Sequence, residues 1–497
     1  MKSAGSVGAR ARGAGVLLST QWLRYALQIA NIVILARLIG PGDFGVVSLG
    51  LAIVGIASVI GDFGLSLAAL REESLSEAQK SNLFWINVSL GTVLAVVVAA
   101  SAVPLARAFG DDRLVWVALL AAPASLFRAT AAQFQVEINR RERFHRLAAS
   151  ELAGDGTGVA VAVLLALAGS GYLALAVQGS VAAMVTLVWV AVASGWRPGR
   201  PRRAPMRRLL TFGASTFATY AASYAAGNVD TVAMGAWYSA TVVGYYSRAF
   251  QLVMLPLQQI AAPLTRIVLP RLATVAGDPL ALNAALLRAQ RLVSHALLAV
   301  TGLLVVGGPA LIEVVLGAAW LPAMQFLPIL AAGAVFQTIA YAYYWGFAAL
   351  GHSGTLFVSE AVGRVPMILL IVALAPLAPA GVAVGVAVGQ VLIWASGTFF
   401  FAPRAGLDVR ALLAGAIVPV GVSTLATLST WGLDLAVLQV LPPPGRLAAV
   451  TAVWLGVWAV AMATLGRRDA RLLTETGRML LPSRRDPDPA EGGLSRR

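Results

Sequence analysis

Arg24, Gln28 and Asn31 recur at i, i+4 and i+7 in a stretch, QWLRYALQIANIVILARLIGPGDFG, that is otherwise mostly Leu, Ile, Val and Ala. A helix places the three on one face. A guanidinium and two amides turned to hydrocarbon would be costly, so this face is expected to meet a water-filled interior or a partner helix. The chemistry open to it is the passage of a polar cargo, not bond breaking.

Other groups of this kind follow along the chain. Ser125, Arg128, Gln135 and Asn139 share a helical face with a cation at mid-depth, which reads as a polar path or as an interhelical hydrogen-bonding seam. Asp230 lies behind Tyr220, Ser223 and Gly227 on its face and is open to pairing a cation, to ion coupling, or to a structural pair with Arg248. Arg248 is itself followed by Gln251 and Gln258. Glu360 and Arg364 stand at i, i+4, where they can neutralise each other within one helix. Gln337, Tyr341 and Tyr344 share a face suited to sugar stacking or to packing. Arg24 has a plainer alternative too, snorkelling to the interface.

The elements that must hold these groups are set by composition. Of 497 residues, 59% are hydrophobic and 12% charged, and mean hydropathy is +0.80. A water-soluble fold cannot hide that much apolar surface. The chain is expected to be an all-α polytopic membrane protein, since its apolar runs are long and continuous and not the alternating strands of a barrel. At about 20 residues per crossing, spans fall near 14–36, 45–70, 82–109, 114–137, 147–169, 172–194, 209–236, 241–270, 291–317, 323–350, 355–376, 380–403, 411–431 and 446–465. That makes about 14 transmembrane helices, the first of them an uncleaved span behind Lys2, Arg10 and Arg12.

Lys and Arg alternate by loop, 28 on one side against 4 on the other, which places both termini in the cytoplasm. Topology thus accounts for the net charge of +15, and no separate basic domain offers itself to nucleic acid. There is no cysteine, and the three histidines are far apart, so thiol chemistry is excluded and a zinc centre is not expected. No Walker motif is present, and Asp43-Phe44-Gly45 lacks the nucleotide loop that would make it kinase-like.

An offset of 199 positions lays Asp230 on Asn31 and matches Thr20, Tyr25, Ala26, Val33, Gly45, Ser48 and Val54 with Thr219, Tyr224, Ala225, Val232, Gly244, Ser247 and Val253. This suggests two pseudo-repeated six-helix lobes, 1–195 and 209–404, in parallel orientation. A basic cytoplasmic linker, 196–208, joins them. Two additional helices occupy 405–466, and a disordered cytoplasmic tail occupies 467–497.

Three stretches carry a resemblance: ILARLIGPGDFGVVSLG, DFGLSLAALREESLSEAQKSNLFWINVSLG and NVDTVAMGAWYSATVVGYYSRAFQLVMLP. Through them the chain resembles the Wzx-type polysaccharide-transport branch of the multidrug/oligosaccharidyl-lipid/polysaccharide exporter superfamily. The resemblance implies a non-enzymatic flippase of the bacterial cytoplasmic membrane. Its cargo would be an undecaprenyl-pyrophosphate-linked oligosaccharide of lipopolysaccharide, exopolysaccharide or capsule. Lobes would rock about a polar cavity, coupled to an H+ or Na+ gradient without further cofactor. Membrane lipids and polysaccharide assembly machinery would be its partners. On that reading Arg24, Arg128 and Arg248 hold pyrophosphate, Arg24 as a bidentate fork, and Gln28, Asn31, Asp230, Gln251, Glu360 and Arg364 line the cavity. The alternatives are a small-molecule or cation antiporter of the same superfamily and, further off, a polymerase or glycosyltransferase, against which the short outer loops count.

Overall fold

A computed structural model of the chain describes residues 23–60, 64–72 and 74–472, with the side chains of 56–60 left aside. The basic start, the opening of the first expected span and the tail from 473 lie outside the described residues. The described chain is helical because a backbone in hydrocarbon has no water to bond and must satisfy its own N–H and C=O groups.

In order, the helices are α1 (23–38), α2 (Pro41–Ile60), α3 (Leu65–Arg71), α4 (Glu77–Phe109), α5 (Arg113–Arg140), α6 (Phe144–Leu167), α7 (Tyr172–Ser194), α8 (Arg207–Gly227), α9 (Val229–Trp237) and α10 (Ala240–Thr274). They continue as α11 (Pro279–Val315), a 3-10 segment (Ala318–Gln325), α12 (Leu327–Ala349), α13 (Ser353–Leu374), α14 (Pro379–Arg404), α15 (Val409–Ala436) and α16 (Pro443–Thr464). Among the described residues eleven of them are each long and apolar enough to cross a membrane, against about fourteen expected for the whole chain. The expected spans 14–36, 45–70 and 209–236 account for the difference. Each falls on a shorter or broken helix: α1 as described, α2 with α3, and α8 with α9. Asn228 separates α8 from α9.

Local chemistry sets the ends. Ser76 and Gln79 form a reciprocal capping box at the start of α4, and Gly110 closes that helix at φ 67°, a left-handed turn open to glycine at little steric cost. Asp408 caps α15 by accepting from the Arg410 and Ala411 amides.

The chain divides into two compact units. The first comprises Met1–Gln251, Ile312–Phe326 and Ile368–Val386, and the second Leu252–Leu311, Leu327–Met367 and Ala387–Arg497. Neither coincides with a lobe of the sequence repeat. In the first unit α4 packs on α5, and α5 and α6 pack on α7. Small residues bring the axes close: a Cβ on Gly91 would lie 2.5 Å from the Ala129 Cβ. Phe84, Phe134 and Trp196 close one end of the bundle edge to face at 5.5–6.0 Å.

The linker is bound, not loose. Asn82 of α4 holds the Arg202 backbone in both directions at 2.7 and 3.0 Å, Trp85 donates to the Gly199 carbonyl, and Gln79 donates to that of Pro205.

In the second unit α15 packs on α16, with Val306, Ala426, Val450 and Trp454 buried together. Asp434 of α15 and Arg446 of α16 are joined by two hydrogen bonds at 2.8 and 2.6 Å. The first part of the tail departs from the disorder expected from 467. Residues 467–472 are helical, because Asp469 is buried against Arg291 at 2.9 Å and the His295 ring at 3.1 Å. A π-helical turn at Ser396–Phe401 in α14 places Gly397 where a Cβ would be 2.5 Å from the Tyr343 ring.

Candidate functional site

The stripe on α1 faces partner helices, and its cation is taken. Arg24 pairs with Glu151 through one guanidinium nitrogen and with Asp155 at 3.2 Å through the other. Glu151 and Asp155 stand at i, i+4 on α6, so one helical face presents both carboxylates to one fork. Two turns along α1, Asn31 accepts from Gln178 of α7 at 3.3 Å. Gln28, between them, is exposed and engaged with its surroundings. The side chains of Arg24, Glu151 and Asp155 keep 35–48% of their accessible surface. Three charges that open could not rest against lipid, so water reaches them.

Arg128 of α5 borders the same group. Asp155 and the Tyr224 phenol are its electrostatic neighbours, yet it makes no hydrogen bond or ion pair among the described residues. Arg128 as a residue is exposed, whereas Ser125, on the same face of α5, is buried. Tyr224 is held by its hydroxyl, which donates to the Leu51 carbonyl at 2.8 Å. One cation bridged by two carboxylates, beside a second that makes no ion pair among the described residues, is a site that can take an oxyanion.

In the next predicted group the structural pair of Asp230 with Arg248 is not formed. Asp230 is buried. It accepts from the Tyr246 hydroxyl and from the Thr231 amide at 2.7 Å. Arg248, 6% exposed, lies with its guanidinium carbon 3.9 Å over the Phe44 ring and 5.6 Å from that of Trp320. It donates to Gln251, and its Nε has no hydrogen-bond partner among the described residues. The aromatic faces take the place of a carboxylate, and in this conformation the guanidinium is shut away. Trp320 in turn donates to the Ala36 carbonyl at 2.9 Å, which ties the 3-10 segment to α1.

In the second unit Arg364 reaches Glu360 through Nε and Nη2 at 3.1 and 3.0 Å, the self-contained pair that i, i+4 spacing allows. Tyr341 packs edge to face on Tyr344 at 6.2 Å and tilts against Trp345 at 5.6 Å. Arg266 of α10 is exposed.

The sequence reading passed over Glu151, Asp155 and Arg266. The signal was present in each case, a charge inside an apolar run. What was absent was any local partner pointing to the acids, since Arg24 is 127 and 131 positions away. Among the described residues no group of three or more His, Cys, Asp or Glu could hold a metal ion.

Long apolar helices with charged groups held between them define a multi-pass helical membrane protein. A family model described as "Polysaccharide biosynthesis protein" matches residues 34–325, and the chain belongs to that family. It is 25% identical over 292 residues to the teichuronic acid biosynthesis protein TuaB of Bacillus subtilis, covering 55% of this chain and 58% of the relative. It is 26% identical over 315 residues to the succinoglycan biosynthesis transport protein ExoT of Rhizobium meliloti, covering 62% of each. It is 24% identical over 257 residues to the lipopolysaccharide biosynthesis protein WzxC of Escherichia coli, covering 51% and 52%. The chain thus spans 52–62% of the length of these relatives.

Among solved structures the fold is similar to the lipid II flippase MurJ in an inward closed conformation, with a TM-score of 0.72 and 14% identity over 92% of this chain and 98% of that one. An inward-facing multidrug transporter of the MATE family follows at 0.60 and 16%, over 81% and 99%. At these identities the likeness is one of fold.

Proposed function

We propose that the chain carries an undecaprenyl-pyrophosphate-linked oligosaccharide, a repeat unit of lipopolysaccharide, exopolysaccharide or capsule, across the bacterial cytoplasmic membrane by alternating access. The observation that carries this reading is the pair of water-reached guanidiniums inside the spans, Arg24 held by carboxylates and Arg128 open. Two forks that share Asp155 as a neighbour suit the two phosphates of a diphosphate linkage. The family, and relatives named for succinoglycan transport and lipopolysaccharide biosynthesis, support a saccharide cargo.

On this reading both termini are cytoplasmic and the basic linker lies at the inner face. The halves 1–195 and 209–404 are the moving lobes. An H+ or Na+ gradient supplies the drive, and assembly machinery receives the sugar. The chain is a carrier and not an enzyme: it breaks no bond, and the prenyl tail stays in lipid while the head group crosses. Arg248, Gln251 and Asp230 serve where helix starts meet, and Glu360 and Arg364 line the path of the sugar.

A second reading, a small-cation antiporter, draws on Glu151 and Asp155 and on the fold shared with a MATE transporter. The test is translocation of a fluorescent undecaprenyl-pyrophosphate-oligosaccharide in proteoliposomes. Wild-type flipping that is lost in Arg128→Ala, with folding retained, is the expected result. No flipping, with efflux of small cations in its place, would transfer the case to the antiporter.

A further inference from the structure

We propose that Glu151 and Asp155 are a resident counter-anion that the diphosphate must displace from Arg24, so that loading of the cargo is an exchange of partners and draws protons into the site. The inference rests on the carrier reading above.

The geometry defines the exchange. Glu151 and Asp155 each hold one terminal nitrogen of Arg24, Asp155 at 3.2 Å, so the end-on face of the guanidinium is already taken by anions. An incoming diphosphate therefore meets Arg128 first, the cation that makes no ion pair among the described residues. It gains the end-on face of Arg24 only as the carboxylates let go. Among the described residues Arg24 from α1 faces both carboxylates and Arg128 from α5 lies near Asp155, with the Tyr224 phenol of α8 beside Arg128. α7, which also packs on α6, brings Thr186 and Gln178 and no charge. The four ionised groups sum to zero. A diphosphate diester adds two negative charges, and two carboxylates released beside it would repel it and each other. Protons on Glu151 and Asp155 restore neutrality without moving another charged side chain. By linkage, tighter cargo binding then accompanies proton uptake, and acidification favours loading.

The arrangement also selects. A monovalent anion can meet Arg128 but gains little by contesting a fork already held twice. An anion that spans both guanidiniums can recover what the displaced carboxylates lose. Glu151 and Asp155 are in this sense specificity-determining: they disfavour simple anions and leave the cargo head group as the ligand worth the exchange.

The experiment uses the full chain in detergent and a dialkyl pyrophosphate diester, whose two charges do not titrate near neutral pH. Binding is followed by calorimetry in buffers of different ionisation enthalpy, which reads the protons taken up. Wild type is expected to bind more tightly as pH falls, with net proton uptake. The double variant Glu151→Gln, Asp155→Asn is expected to bind about tenfold tighter at neutral pH, within the usual range of site coupling, without proton uptake. Adding Arg24→Gln to the double variant should erase that gain.

Unchanged affinity and unchanged proton uptake in the double variant would overturn the proposal, as would a gain that survives loss of Arg24. Absence of diester binding in every form would overturn it as well. Melting curves and monodispersity separate these results from misfolding. Flipping by the wild type in proteoliposomes then decides the carrier reading independently. It can stand when the exchange fails, and its failure beside an intact exchange would leave a diphosphate-binding protein that does not flip.

Discussion

Gly45 and Gly244 occupy matching places on the two sides of one helix crossing. A Cβ on Gly45 would sit 1.6 Å from the Ala240 carbonyl oxygen, and a Cβ on Gly244 2.0 Å from that of Pro41. Ser48 and Ser247, one turn further in, meet at 3.1 Å. Each pair is related by the same 199 positions, so the start of α2 and the start of α10 touch about a local two-fold axis.

Because backbone meets backbone here, Gly45→Ala or Gly244→Ala must part the helices. The expected loss is about 1–3 kcal/mol of stability or more, or a conformation in which these starts are separated. Thermal melting reads the first. A Ser48→Cys, Ser247→Cys pair in this chain, which has no other cysteine, reads the second. The disulfide should form readily, and on the carrier reading it should halt flipping until reductant is added. Free flipping with the bond closed would show that this crossing does not open during transport.

Removing Arg24 leaves two carboxylates on one face of α6 with their shared cation gone. Arg24→Ala should lower the melting temperature and abolish transport. Adding Glu151→Gln and Asp155→Asn should recover much of the stability but not transport, because the like-charge repulsion disappears while the cation stays missing. Recovery of transport would mean that Arg24 serves only to neutralise α6.

Tyr246 is the hydrogen-bond donor that keeps a buried carboxylate satisfied at Asp230. Tyr246→Phe should cost about 1–3 kcal/mol, the penalty of a buried polar atom left short of a partner. Asp230→Asn, added to it, should restore part of that loss by removing the charge. Denaturation in detergent with both variants checks the order.

Asp434 is 2% exposed and answered by the Arg446 guanidinium. Cutting one partner of a buried pair typically costs about 3–5 kcal/mol, whereas replacing both by apolar groups is often neutral. Arg446→Ala should therefore unfold the α15–α16 hairpin well before an Arg446→Met, Asp434→Leu double variant does. Limited proteolysis within 437–442 reads the difference.

Asp111, in the turn before α5, is raised by burial and lowered more by the hydrogen bonds from Arg113, for a net pKa below its ordinary 3.8. A depressed carboxyl stabilises the fold above its unfolded-state value, and the contribution is lost as pH falls through the lower folded value. Partial exposure and salt keep the effect small. Melting temperature should fall on acidification below about pH 4, and Asp111→Asn should flatten that part of the curve.

Apolar run length and the rule that a buried backbone must satisfy itself determined the all-helical class and the approximate place of each helix. The i, i+4 spacing of Glu360 and Arg364 made a pair within one helix possible without any neighbour, and the fold forms it. The 199-residue offset was legible in seven identities, two of which, Gly45/Gly244 and Ser48/Ser247, sit at the two-fold contact.

Tertiary structure alone decided the partners. Arg24 could have faced lipid head groups or a path; the rotation of α1 against α6 gave it Glu151 and Asp155. Arg248 could have met Asp230, 18 positions before it, but packing set it over Phe44 and Trp320 and left Asp230 to Tyr246. Spacing fixes what one helix presents. Which neighbour receives it depends on how helices distant in sequence turn and pack, and that is settled only when the whole chain has folded.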